Sequence, residues 1–354
     1  MRTHLVRLCR FKSVTAIAAA AVTLFSLKAV RLVADQAQYT VTDLGAAGCC
    51  YDWIRGSAAL GINANGDVAG FTSSPTDPLI VVPFVYRNAT MTVISDNYGW
   101  ATSINDAGQV TGFVQLPGRP NVTAFIYQDG AFTDLGTLPG DANSPYSIGW
   151  SINNSGTVAG ESKTGAWVAE PTDMWRIKRR GARAAYGIND AGDLTGELET
   201  MSPHAHGFLM TDNSLIDIGT LDQDPESVVI PAAINASQQI VGTAWRNGNS
   251  EERAFLYENG VMHDLGTTTL PGYPNFSSAM AINNLRHVVG YSTAGVFLYR
   301  DGTMLNLNDL VERDQAGNGY VTDARAINDA GQIAGTCYFG NSAHACLLTP
   351  IGAR

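Results

Sequence analysis

The chain has 354 residues, of which 45% are hydrophobic, 15% charged and 37 glycine, with a formal net charge of −10. That balance excludes a largely disordered chain. The acidity argues against a nucleic-acid or anionic-membrane surface.

In chain order, the first element is a leader. Arg2, Arg7, Arg10 and Lys12 precede the uncharged, Ala/Val/Leu-rich stretch from Val14 to Leu27, and Lys28 and Arg31 follow it. This run is shorter than the about 20 apolar residues that span a bilayer. Residues 1–38 therefore read as a secretory signal peptide with cleavage near Ala34–Ala37, the alternative being a retained anchor. Without them, 16 basic and 31 acidic side chains remain, a formal net charge of −15, and no membrane span is left.

From residue 39 onward the chain repeats. The phrase Ile-Asn, a turn, then a small apolar strand ending in Gly recurs seven times, from Ile62 to Gly70, Ile104 to Gly112, Ile152 to Gly160, Ile188 to Gly196, Ile234 to Gly242, Ile282 to Gly290 and Ile327 to Gly335. Between copies lie an alternating aromatic strand (Ala124-Phe125-Ile126-Tyr127, Ala254-Phe255-Leu256-Tyr257), an Asp-Gly or Asn-Gly hairpin turn (Asp129-Gly130, Asn259-Gly260, Asp301-Gly302), and a strand ending in Asp-Leu-Gly (Asp134 to Gly136, Asp264 to Gly266). Alternation flanking Asn-Gly or Asp-Gly is a strong hairpin signal, because both turn residues need positive φ. Each unit thus has four strands: A ends in Ile-Asn, B near the repeat Gly, C carries the aromatics and D ends in Asp-Leu-Gly. A four-stranded unit of about 45 residues cannot cover both its faces, and repeats stacked around an axis cover one another.

The chain ends are complementary. Tyr39 to Gly45 is a D strand with no A, B or C before it, and Ala343 to Thr349 is a C strand with no D after it. The expected fold is therefore all-β: a seven-bladed β-propeller of four-stranded blades, one domain over 39–350 with a short tail at 351–354. Its ring is closed by the N-terminal strand completing the last blade, which removes a free edge. Cys337 and Cys346 fall in strands B and C of that blade, and Cys49 and Cys50 follow the N-terminal strand. Two disulfide pairings are open: Cys337 with Cys346, directly opposed if the hairpin centres on Asn341 and Ser342, or one of these with Cys49 or Cys50. Four reduced thiols are the third state.

This composite pattern resembles the extracellular HAF-repeat family: Ala254-Phe-Leu-Tyr-Glu-Asn-Gly260, Asp264-Leu-Gly266 and Ala326-Ile-Asn-Asp-Ala-Gly331 match its unit. The His that names the family stands only at His206 and His344. The resemblance covers about residues 39–350 and implies an exported bacterial protein. It implies no catalytic residue.

Candidate chemistry lies where copies differ. The seven Ile-Asn asparagines read as turn residues bonding their own backbone, with an amide ring for a sugar or cation as the alternative. Gln238 and Arg286 stand where the other copies have the turn Gly; keeping that backbone should cost up to about 1 kcal/mol each. Asn63-Ala-Asn65-Gly66-Asp67 is a weak calcium-loop likeness lacking the terminal Glu. The position two before each Ile varies most (Leu60, Thr102, Trp150, Tyr186, Ala232, Met280, Arg325) and reads as packing. The long B–C and D–A connectors emerge on one face and carry Trp53, Arg55, Tyr98, Trp100 and Tyr146, aromatics and a cation able to stack on a sugar or hold an anion. Blade three is degenerate in its C and D strands, and Arg176, Lys178, Arg179, Arg180 and Arg183 form a basic cluster, either a polyanion site or a solvated edge.

No Gly-x-Ser-x-Gly elbow, phosphate loop or His-Glu-x-x-His is present. His204 and His206 alone are too few for a metal centre, and no cofactor is indicated. Paired carboxylates for glycoside chemistry would be set by spatial separation, which the sequence does not give. The reading is an exported, non-catalytic repeat protein acting as a binding or surface interaction module for a glycan or protein. The alternatives are a carbohydrate-active propeller enzyme with its site at the long-loop mouth of the channel, and a structural envelope component. The enzyme alternative requires carboxylates converging in that mouth with shifted pKa values.

Overall fold

The computed structural model describes residues 38–48, 56–77, 79–138, 145–170, 173–177, 181–199, 205–212, 214–312 and 319–352. Strand β1 is Tyr39–Asp43. Blade one holds β2 (Ser57–Ile62), β3 (Val68–Ser73), β4 (Val81–Arg87) and β5 (Thr90–Val93), and blade two β6 (Gly99–Ile104), β7 (Val110–Val114), β8 (Thr123–Gln128) and β9 (Ala131–Gly136). Blade three holds β10 (Ser147–Ile152), β11 (Val158–Ser162), β12 (Gly165–Glu170) and β13 (Asp173–Arg176), and blade four β14 (Ala182–Ile188), β15 (Leu194–Glu199), β16 (Ala205–Thr211) and β17 (Ser214–Asp217). Blade five holds β18 (Val229–Ile234), β19 (Ile240–Arg246), β20 (Glu251–Glu258) and β21 (Val261–Asp264), and blade six β22 (Ser277–Ile282), β23 (Val288–Ser292), β24 (Gly295–Arg300) and β25 (Thr303–Asn306). Blade seven holds β26 (Tyr320–Ile327), β27 (Ile333–Phe339) and β28 (Ser342–Pro350), and β1 pairs with β28 to complete it.

The result is seven antiparallel four-stranded sheets. Each A strand touches the A strand of the next blade, and β2 touches β26, so the inner strands close a ring about a central channel. The described residues include no helix long and apolar enough to cross a membrane.

Local chemistry repeats with the blades. The repeat Gly of strand B pairs with a large buried residue of strand C: Gly70 with Phe84, Gly112 with Phe125, Gly160 with Trp167, Gly196 with Phe208, Gly242 with Phe255 and Gly290 with Phe297. A Cβ at Gly160 would stand 2.2 Å from the Ile148 carbonyl oxygen and 2.3 Å from the Trp167 ring, so only glycine fits. In blade seven the aromatic is replaced by Cys346, opposite Gly335. Cys346 is disulfide-bonded to Cys337. The hairpin centres one residue earlier than the directly opposed pairing requires: Phe339 pairs with Ser342 and Cys337 with His344, so the bridge runs diagonally across the ladder. Cys49 and Cys50 lie outside the described residues.

The Ile-Asn asparagine does more than form its turn. Each Oδ1 accepts from the backbone N–H four residues on, as Asn63 does from Asp67 at 2.9 Å. Each Nδ2 donates to the backbone carbonyl of the corresponding Asn in the next blade, from Asn63 to Asn105, onward through Asn153, Asn189, Asn235 and Asn283 to Asn328, and from Asn328 back to Asn63 at 3.0 Å. The amides therefore form a continuous girdle at the hairpin end of the channel, with oxygens already used by their own turns.

The B–C connectors are dissimilar, as expected, but not all of them are long. Ser162 pairs with Gly165, Ser292 with Gly295 and Phe339 with Ser342, so blades three, six and seven turn in two residues.

Candidate functional site

The residue after each repeat Gly differs from blade to blade and, in blades one and five, reaches the blade that follows. In blades one and two it is Phe71 and Phe113, both packed on Trp100, with ring centroids 5.0 and 5.4 Å away. In blades five and six it is Thr243, which hydrogen-bonds Ser278, and Tyr291, edge-on to Phe276 at 6.1 Å. In blades three and four it is Glu161 and Glu197.

The variable position two before each Ile is a β-bulge in every blade. A bulge re-aims the side chain out of the regular pleat. In blades three and four it places Trp150 and Tyr186 edge to face, with centroids 5.9 Å apart. The Tyr186 hydroxyl donates to Glu197 Oε2 at 3.0 Å, and Arg183 Nη1 contacts Glu197 Oε1 at 2.5 Å. Both carboxylate oxygens of Glu197 are therefore engaged, and its side chain is only 9% exposed.

Glu161 stands in a different state. Burial raises its pKa above the ordinary 4.5, Arg183 works against this, and the charge of Glu197 adds to it. The Trp150 indole beside it favours the charged form but falls short of a full hydrogen bond. Tyr186 is pushed far above the usual phenol value, first by burial and then by Glu197, so it remains a hydrogen-bond donor.

Glu161, Glu197 and Arg183 face a cleft of about 550 Å³ between blades three and four, on the connector face of the ring. Tyr146, Lys163, Arg176 and Arg183 line it together with Glu161 and Glu197. Blade three opens the space by omitting a clip that other blades have. At the start of strand C, His206 reaches Asp217 at 2.9 Å, His344 reaches Asp43 at 2.9 Å and Thr123 reaches Asp134 at 2.6 Å. Blade three has Gly165 at the His position and Arg176 at the Asp position. Gly165 leaves room for Arg176 to lie over it, since a Cβ there would come within 3.1 Å of Arg176 Nη2. Among the described residues Arg176 and Lys163 take part in no ion pair.

The expected site residues are thus redistributed. Tyr146, Arg176 and Arg183, drawn from two separate sequence candidates, meet in one cleft. Tyr98 and Trp100 belong to the aromatic stack of blades one and two, where Tyr98 packs on Phe113 at 6.2 Å and is 37% exposed. Trp53, Arg55, Lys178, Arg179, Arg180 and His204 lie outside the described residues. His206 is committed on both nitrogens, to Asp217 and to the Pro225 carbonyl. In the calcium-like loop, Asn63 Oδ1 is occupied by the N–H groups of Asn65 and Asp67. Glu161 and Glu197 escaped the sequence reading. Their signal was present in the register: Phe, Phe, Glu, Glu, Thr, Tyr, Thr at a position adjoining a buried Gly.

The fold defines a seven-bladed β-propeller, and solved structures agree at the level of fold. Oligogalacturonate lyase from Vibrio parahaemolyticus superposes with a TM-score of 0.54 at 9% identity, covering 89% of this chain and 94% of its own. The β-propeller domain of the Trilobed protease from Pyrococcus furiosus gives 0.49 at 12% identity, covering 70% and 82%, and a gluconolactonase from Xanthomonas campestris 0.39 at 13% identity, covering 88% and 89%. No protein-family model matches the sequence, and no curated protein matches it.

Proposed function

We propose that the protein is an exported β-propeller that binds a saccharide in the cleft between blades three and four. The observation carrying this reading is the meeting of Tyr146, Glu161, Arg176, Arg183 and Glu197 in one cleft, with Glu197 fixed by Arg183 and by Tyr186. A recess with one aromatic side chain, Tyr146, and a few fixed polar groups suits a polyhydroxylated ring. The leader over residues 1–38 and the likeness to HAF-repeat proteins support export.

A second reading has its own observation. Two neighbouring carboxyl groups in different surroundings, Glu161 with its pKa raised by burial and Glu197 held by Arg183 and Tyr186, resemble the pair that glycoside cleavage uses, and one propeller of similar fold is oligogalacturonate lyase. Glu197 is occupied by Arg183 and Tyr186, which weakens it as a base, so binding is the primary reading.

A glycan-binding screen, with released reducing sugar measured on every glycan, tests both. Binding without turnover, lost in Tyr146→Ala, supports the module. Turnover abolished by Glu161→Gln replaces it with the enzyme. Trp100→Ala should lower stability through loss of the Phe71–Trp100–Phe113 stack rather than remove binding selectively.

A further inference from the structure

We infer that the saccharide taken by the cleft is acidic, with its anionic substituent held by Arg176 and Lys163; this rests on the cleft being a saccharide site. The chain as a whole is acidic, at −10, yet the cleft gathers three cations, Lys163, Arg176 and Arg183, against three carboxyl groups, Glu161, Glu197 and Glu199. The carboxyl groups are largely disarmed. Glu197 is paired with Arg183 and bonded by Tyr186. Glu161 is inclined toward its uncharged form by burial and by Glu197. Glu199 sits exposed at the rim. Among the described residues Arg176 and Lys163 have no acidic partner, and they stand in a recess rather than on a convex surface.

The origin of Arg176 strengthens the case. Its register position, opposite the C-strand aromatic or Cys346, carries Asp217, Asp264, Asp134 and Asp43 in four other blades, each tying down its own sheet. Blade three inverts that charge and deletes the partner side chain at Gly165, which forfeits the clip and gains a guanidinium facing open space. A planar fork of donors matches a carboxylate or sulfate ester. Glu161 in the same recess, when it carries the proton that its burial favours, donates a hydrogen bond to a ring oxygen or hydroxyl.

The test titrates the full-length protein with matched trisaccharides on β-1,4-gluco, α-1,4-galacto and β-1,4-manno backbones, each as the neutral sugar, the uronate and the sulfate ester. The expected result is at least one backbone whose acidic form binds about tenfold or more tighter than its neutral form. That gap should shrink with added salt and collapse in Arg176→Gln/Lys163→Gln, a change at exposed side chains whose folding is checked by circular dichroism. Uronate against sulfate identifies which anion the site takes. Neutral sugars binding as well as acidic ones would overturn the inference and leave the saccharide site standing. An acidic preference unchanged in the double variant would also overturn it. No binding by any member would overturn both this inference and the saccharide reading.

Discussion

At the scale of single residues, backbone sign and charge state set the expectations. Asn88 and Ala89 form the blade-one C–D turn with φ of 49° and 58°, where blades two, five and six place Gly second, as at Gly130. Ala89 is exposed, so its side chain gives nothing back for that strain. Ala89→Gly should raise stability by about 1 kcal/mol, or the melting midpoint by about 2 °C. Gln238 and Arg286 hold the left-handed geometry expected of their turn position, at φ 58° and 64°. Their side chains compensate, Gln238 by bonding Asp193 and Thr211 and Arg286 by pairing with Glu258. Glycine at those two positions should therefore gain little. The raised pKa of Glu161 fixes a sign. The folded state holds its proton more tightly than the unfolded chain, so stability from this group is full below about 4.5 and is lost as pH rises through the raised value. Glu161→Gln should accordingly be more stable than the native protein at pH 8 and show no such advantage at pH 4. A melting-point difference that does not vary with pH would refute this.

At the scale of the element, six of the seven blades are built around one contact, a B-strand glycine beneath a C-strand aromatic. The aromatic strand, the turn and the glycine were each visible in the sequence, but their opposition was not, because register is a property of paired strands. Blade seven shows what the contact is for. It lacks the aromatic, and a disulfide between Cys337 and Cys346 spans the ladder in its place. The loop it closes is short, with a sequence separation of 9. Breaking it by Cys337→Ser/Cys346→Ser should cost about 2–3 kcal/mol, read as a lower denaturation midpoint, and loosen the pairing of β28 with β1 first. Amide exchange at Val41 and Leu348 is the local readout.

At the scale of the whole molecule, the ring is held at one end by seven asparagine amides passing from blade to blade and at the seam by β1. The amide makes a prediction that turn chemistry alone does not. Aspartate would keep the Oδ1 acceptor for the turn while removing the donor and setting a charge against the neighbouring carbonyl. Asn153→Asp should therefore destabilise by about 1–3 kcal/mol, where a turn-only role would leave it near neutral. Thermal melts of Asn153→Asp and Asn153→Ala decide between the two.

The sequence by itself determined the architecture: the repeat count, four strands per unit and the complementary strands at the chain ends follow from periodicity, hairpin turns and the need to cover sheet faces, all of which are local or one-dimensional. Tertiary structure decided which differences between copies meet. Tyr146, Glu161, Arg176, Arg183 and Glu197 are spread over two blades, in four strands and the connector before β10, and only the ring brings them to one cleft. The asparagine girdle is of the same kind. A side chain that satisfies its own turn and its neighbour's carbonyl reads in sequence as a turn residue, because the second bond exists only when the blades stand side by side.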